Sequence, residues 1–186
     1  DNHSRLVGSE MCIRDRRAMI RRIGDDAKHA AEVLADLASA QRLRLQDVVA
    51  TRSAVDLPAL LRSVVAAHPT EQHDIRVGEI TVGDDDVVAD RVLVSRILDN
   101  LVSNARKHTP AGSRIVVGAR RTGAEVLVHV DDDGPGLPEP IRESVFEAYV
   151  RGTSATTRPG SGVGLFLVRT FAQLHGGRAR WEPSPV

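Results

Sequence analysis

The sequence is poor in several residue types, and each shortage excludes something. One cysteine, Cys12, in 186 residues leaves no internal disulfide and fits a reducing compartment. Charge of either sign is not in excess: 25 Lys and Arg face 25 Asp and Glu, so no global field draws the chain onto a polyanion such as duplex DNA. Aromatics are few. Phe146, Tyr149, Phe166, Phe171 and Trp181 are too scattered to form a base-stacking platform, and no nucleic-acid partner is expected. No apolar run approaches the roughly 20 residues of a membrane span, so any membrane anchor is expected outside this chain. Lysine is confined to Lys28 and Lys107 while arginine abounds, which fits a high-GC genome. No internal repeat is present. The length suits one domain with an appendage.

The chain divides by texture. Residues 1–16 show no sustained periodicity, resemble translated sequencing-adapter read-through, and are set aside as a non-native or disordered segment. From Arg17 to about Val49, apolar Met19, Ile23, Ala27, Ala30, Val33, Leu34, Leu37, Leu43 and Leu45 recur at three- and four-residue steps, which predicts a long amphipathic helix. Its stripe needs a partner helix, expected in an upstream segment or another subunit. Residues 50–55 read as a connector, and Asp56 caps a helix with Pro58 in its first turn. Ile75, Val77, Ile80 and Val82 suggest a strand, with a turn at Asp84, Asp85 and Asp86. A strong helix is expected over residues 90–108, then strands over 114–121 and 125–131 joined at Thr122 and Gly123 as a hairpin. A short helix near 141–146, a polar loop over 151–161, a helix over 163–175 and a strand over 178–181 complete the pattern. Helices alternating with hairpin-paired strands give an α+β class: a mixed sheet covered by helices on one face.

Three elements could carry chemistry. On the 90–108 helix, Asn100, Asn104, Lys107 and His108 fall on one face beside an apolar stripe of Ile97, Leu98, Leu101, Val102 and Ala105. An Asn carbonyl is a hard oxygen ligand suited to Mg²⁺, and Lys107 could neutralise a phosphate oxygen; the same face also reads as solvated surface. In VDDDGPGLP, residues 130–138, Gly134 and Gly136 permit positive φ and close backbone approach. The alternation of Val126, Val128 and Val130 puts Asp132 on the inward side, where an exocyclic amine such as adenine N6 would satisfy it; a plain acidic turn fits too. In GSGVGLFLV, residues 160–168, a glycine-rich turn opens a helix whose unpaired amides form an anion site. Alone, this last pattern also fits a floppy loop before a helix. A dinucleotide fold fails, because no parallel strand precedes it and no acidic ribose-binding residue follows.

Together and in this order, RILDNLVSNARKHTPAGS, VDDDGPGLP, VFEAYVRG, GSGVGLFLV and LHGG resemble the ATP-binding catalytic domain of bacterial sensor histidine kinases. That resemblance spans about two-thirds of the chain. Upstream, VLADLASAQRLRLQDV and AVDLPALLRSVV are similar to the second dimerisation helix and the entry to the catalytic domain. It implies a layered α/β sandwich preceded by one long helix of a helical-hairpin dimerisation domain. Residues 17–50 would be the partial dimerisation helix and 51–186 the catalytic domain, lacking its last strand. The implied ligands are ATP and Mg²⁺. Asn104 matches the Mg²⁺-ligating Asn, Asn100 stands one turn earlier in the same box, and Lys107 matches the phosphate-contacting Lys. His108 takes the place of an aromatic that packs on adenine. Asp132 matches the adenine-reading Asp, with Gly134 and Gly136 supporting its turn. Phe146 lies in the phenylalanine motif, and Arg151 is a candidate phosphate contact. Gly160, Ser161, Gly162, Val163, Gly164 and Leu165 match the phosphate loop.

The implied function is the catalytic portion of a two-component histidine kinase, passing the ATP γ-phosphoryl to a His. That acceptor is absent: His29, His68 and His73 match no acceptor box, so it is expected on a dimerisation helix outside the chain. Related hydrolases of the superfamily carry a Glu four residues before the metal-binding Asn to activate water; here that position is Asn100. The implied partners are a second kinase protomer, forming a homodimer, and a response regulator receiver domain. The implied location is the cytoplasmic part of a membrane-anchored protein. The alternatives are an anti-sigma-type serine kinase and a nucleotide-binding module without transfer.

Overall fold

The computed structural model describes residues 49–83, 87–150 and 162–184, together with Met19. All of the expected long helix over 17–49 but Met19 and Val49, the turn at Asp84, Asp85 and Asp86, and the whole polar loop over 151–161 lie outside the described residues. The elements run β1 (Ser53–Val55), α1 (Leu57–Ala67), β2 (Asp74–Thr81), β3 (Val87–Ala89), α2 (Arg91–His108), β4 (Arg114–Thr122), β5 (Glu125–Asp132) and α3 (Gly164–Leu174). One three-stranded mixed sheet has the order β2-β4-β5, with β2 parallel and β5 antiparallel to β4; β1 and β3 pair antiparallel in a second, two-stranded sheet.

Strand alternation builds the core. Ile115, Val117 and Ala119 of β4 are fully buried, and opposite them on β5 stand Asp132, Val130 and Val128. This inner face receives α1 through Leu57, Leu60, Leu61 and Val64, and α2 through Leu98 and Val102. A second cluster joins Leu93 of α2 to Val163, Leu167 and Phe171, so α2 has two apolar edges, one toward the sheet and one toward α3. Both helices that carry the candidate site are thereby anchored in packed cores. Among the described residues no helix is long and apolar enough to cross a membrane.

Caps fix the helix starts. The Asp56 carboxylate accepts from Ala59 N at 2.8 Å with Pro58 in the first turn of α1. For α2, Asp90 Oδ1 accepts from Val92 N at 2.9 Å and Leu93 N at 3.1 Å, and Arg106, Lys107 and His108 complement the dipole in the last turn.

Four expectations need correction. Within the supposed connector, Ser53–Val55 forms β1, because pairing with β3 supplies backbone partners that no local pattern announces. The hairpin turn is Gly123 and Ala124, not Thr122 and Gly123: Thr122 still pairs with Glu125, and Gly123 takes φ 61°. The helix expected near 141–146 is a single 3₁₀ turn, Glu139–Ile141, followed by turns. Residues 178–181 form no strand. Exposed Arg180 pairs locally, its Nε 2.7 Å from Glu182 Oε1, and the segment touches the sheet through Arg178, 4.0 Å from the Glu125 carboxylate.

Candidate nucleotide site

Helix α2 carries the first part of the site. Asn100 is half-buried, and its Nδ2 donates to Arg96 O at 2.8 Å. Its Oδ1 lies 2.8 Å from where a Cβ on Gly164 would stand, so the first residue of α3 reaches Asn100 only because it is glycine. One turn on, Asn104 is half-buried, and among the described residues its side chain is engaged in no hydrogen bond. Its amide carbonyl is the kind of hard oxygen a magnesium ion takes. Lys107 is half-buried and His108 exposed.

At the end of β5 the three consecutive carboxylates go to three different places, which is how the chain avoids burying like charges together. Asp131 faces the outer side of the sheet, its Oδ2 3.5 Å from His129 Nε2. Asp133 is exposed, and its Oδ1 accepts from Arg114 N at 2.9 Å. Asp132 points inward opposite the fully buried Ile115 and is half-buried; its Oδ1 accepts from Gly134 N at 3.0 Å. The expected inward carboxylate is therefore Asp132.

The β5 turn meets the end of α2 at one tight contact. A Cβ on Gly134 would stand 2.7 Å from Asp132 Oδ1 and 2.7 Å from Thr109 Cγ2. Thr109, the C-cap of α2, is buried, and its Oγ1 donates to Ala105 O at 2.9 Å. Thr109 was not among the candidate site residues; a β-branched hydroxyl residue at the cap beside the helix's polar face is the signal that marks it. Gly136 turns with φ 70°, and Trp181 Cζ2 lies 3.8 Å from its would-be Cβ.

The third part is the start of α3. Gly162 takes φ 67°, its carbonyl accepts from Tyr149 N at 2.9 Å, and a Cβ there would stand 3.1 Å from Tyr149 Cα. Val163 is buried and the helix has no side-chain cap, which leaves the first amides, among them those of Gly164 and Leu165, aimed out of the helix end. Phe146 is half-buried. Arg151, Gly160 and Ser161 lie outside the described residues.

Far from this polar face, a hub ties the two site helices together. Asp90 Oδ2 accepts from Thr51 N at 2.8 Å, and Asp90 N donates to His175 Nε2 at 2.9 Å. His175 Nδ1 in turn contacts Phe171 O at 2.8 Å, so the proton sits on Nδ1 and Nε2 is the acceptor. Burial pulls the Asp90 carboxyl upward, but hydrogen bonds from the Leu93, Thr51 and Val92 amides hold it below its ordinary value.

So α2 is bracketed by the β5 turn at its C-terminal end and by the uncapped start of α3 at Asn100. Glycine cradles, an amide-bearing helix and helix-end amides without a side-chain cap suit a purine triphosphate with a divalent cation. Residues 89–185, just over half of the chain, match the family described as histidine kinase-, DNA gyrase B- and HSP90-like ATPases. The chain belongs to this family. Its ATP-binding domain is of the sensor histidine kinase kind. The sensor-type histidine kinase PrrB of Mycobacterium leprae is 48% identical over 89 residues, 48% of this chain and 20% of PrrB. The sensor-like histidine kinase SenX3 of Mycobacterium tuberculosis is 30% identical over 164 residues, 86% of this chain and 40% of SenX3. The solved ATP-binding domain of PrrB from Mycobacterium tuberculosis superposes with a TM-score of 0.57 at 30% identity, covering 73% of this chain and 89% of that one. The matched stretches thus span well under half the length of these curated kinases.

Proposed function

We propose that this chain is the catalytic portion of a two-component sensor histidine kinase, which transfers the γ-phosphoryl of ATP to a histidine on a dimerisation helix outside this sequence. The observation that carries this reading is the bracketing of α2: Asp132, Gly134 and Thr109 meet at its end, and Gly164 meets Asn100 one turn before Asn104. The half-buried Asp132 carboxylate takes the purine amine while its Oδ1 is held by Gly134 N. Asn104 would hold Mg²⁺, which when bound neutralises charge on the phosphates. Lys107 adds a point charge, and the amides of Gly164 and Leu165 receive phosphate oxygens; Arg151, Gly160 and Ser161 belong to the same phosphate-binding loop. His108 borders the base. With Asn100 where the hydrolases carry Glu, no carboxylate at that position draws a proton from water, and the phosphoryl group is kept for an imidazole brought by the partner helix.

In this reading residues 17–50 form the second dimerisation helix and 51–186 the catalytic domain. A second protomer and a receiver domain are the partners, and the domain works on the cytoplasmic side. Calorimetric titration with Mg²⁺ and the non-hydrolysable analogue AMPPNP tests the pocket: Asp132→Asn should abolish adenine-selective binding, and undiminished binding would defeat the assignment. Adding a separately made acceptor helix and looking for acid-labile phosphate distinguishes a kinase from a module that only binds nucleotide.

A further inference from the structure

The turn after Asp132 is held at two points, and only one of them belongs to the pocket described above. Its near limb is fixed by Gly134 N on Asp132 Oδ1 and by Thr109 against Gly134. Its far limb contains Gly136 at φ 70°, a conformation that glycine adopts freely and holds weakly. Two side chains close on that limb, Arg142 from the next turn of the chain and Trp181 from far along the sequence. Trp181 lies against Gly136, with Cζ2 3.8 Å from the would-be Cβ. Arg142 donates from Nε to Leu137 O at 3.0 Å, and its guanidinium carbon stands 4.8 Å from the Trp181 ring centroid. One arginine therefore clips the turn backbone with its edge and the indole with its face, a use of the planar fork that lysine cannot copy in full. Trp181 is half-buried and Arg142 exposed, so the clasp is accessible from solvent.

We infer that Arg142 and Trp181 are positioning residues for purine recognition: by clamping Gly136 and Leu137 they keep the turn, and with it the Asp132 carboxylate, in the geometry that selects adenine. The inference rests on the reading of Asp132 given above. Neither residue reaches past the turn to the base; they act by removing the freedom left at Gly136, beyond Pro135, before ligand arrives, so that less ordering remains to be done on binding. Trp181 is also the chain's one tryptophan, which makes its emission a direct report on this turn.

The test is binding of AMPPNP and its guanine counterpart, each with Mg²⁺, to the whole chain and to Arg142→Met, Trp181→Leu and Trp181→Phe. Loss of the cation–π contact and the Leu137 bond should weaken AMPPNP by about five-fold and narrow the adenine-over-guanine preference by a similar factor. Trp181→Phe, which keeps an aromatic face, should recover most of both, and AMPPNP should change the emission of the wild-type tryptophan. Wild-type affinity and preference in a folded Arg142→Met overturns the inference. So does an equal loss for both nucleotides, which would mark a merely structural role. Arg142 is exposed, so this arm stands even if Trp181→Leu fails to fold. Asp132→Asn separates the two levels: if it binds like the wild type, the pocket reading falls and the clasp with it. If it loses selectivity while Arg142→Met does not, the clasp alone falls.

Discussion

Replacing Asp90 by alanine probes the hub that joins the site helices, and its cost can be worked out bond by bond. One carboxylate caps α2 through Val92 N and Leu93 N and also receives Thr51 N at 2.8 Å from the approach to β1. An N-cap is worth about 1 kcal/mol, up to about 2 in favourable sites, and a charge-assisted bond to a backbone amide adds about 1 more. Asp90→Ala should therefore cost about 2–3 kcal/mol, roughly 8–12 °C in Tm for a domain of this size. Asp90→Asn keeps an oxygen for the cap but turns an amide donor toward Thr51 N, and should cost about 1 kcal/mol. The pH dependence follows from the direction of the carboxyl shift. The folded pKa lies below the ordinary value, so the stabilisation is complete above the unfolded pKa of about 4 and fades as pH falls through the folded one. Denaturant unfolding of the three proteins at neutral pH and near pH 3 reads both effects. The reasoning fails if Asp90→Ala is within about 0.5 kcal/mol of wild type at neutral pH, or if the gap between wild type and Asp90→Asn does not shrink in acid.

Other perturbations separate the site from the scaffold. Gly134→Ala places a Cβ 2.7 Å from both Asp132 Oδ1 and Thr109 Cγ2, so AMPPNP affinity measured by calorimetry should fall by about ten-fold or more; an unchanged affinity would show that the contact is not part of the pocket. Gly118→Ala drives a Cβ to 2.6 Å from His129 Nε2 and 2.9 Å from Glu79 O on the outer side of the sheet. It should cost about 1–3 kcal/mol in denaturant unfolding while leaving nucleotide affinity in the folded protein intact. Leu98→Ala empties a fully buried position between α2 and the sheet and should cost about 2–5 kcal/mol by the same measurement; a cost below about 1 would contradict the packing described.

Much of this was legible in residue order because it depends on short-range periodicity. The stripe Leu98, Val102 and Ala105, with Asp90 before it and Thr109 and Pro110 after it, marks α2 whatever surrounds it. The alternation Val126, Val128, Val130 put Asp132 inside, and the register opposite Ile115 agrees. What could not be read depends on contacts between distant residues. Strand β1 has three residues and exists by pairing with β3. Asp90 and His175 meet across 85 positions, and Trp181 reaches Gly136 from a segment that was expected to be a strand. A period-two pattern reports which side chains could share a face, not whether a neighbouring backbone is at hand to complete a ladder.

Asn100 shows how one position can decide between two chemistries through packing as much as through basicity. Its Nδ2 donates to Arg96 O, which leaves Oδ1 facing Gly164 at the start of α3. A glutamate there would have nothing to donate to Arg96 O. It would also be one methylene longer, in a gap already so narrow that Gly164 has no room for a Cβ without a shift. The close seat of α3 on α2 therefore leaves little room for a longer side chain at position 100. The amide yields that space to the helix end, and the helix end is where phosphate oxygens would be received. Under the proposed kinase function, a position without a carboxylate base for water leaves the phosphoryl group to an incoming imidazole.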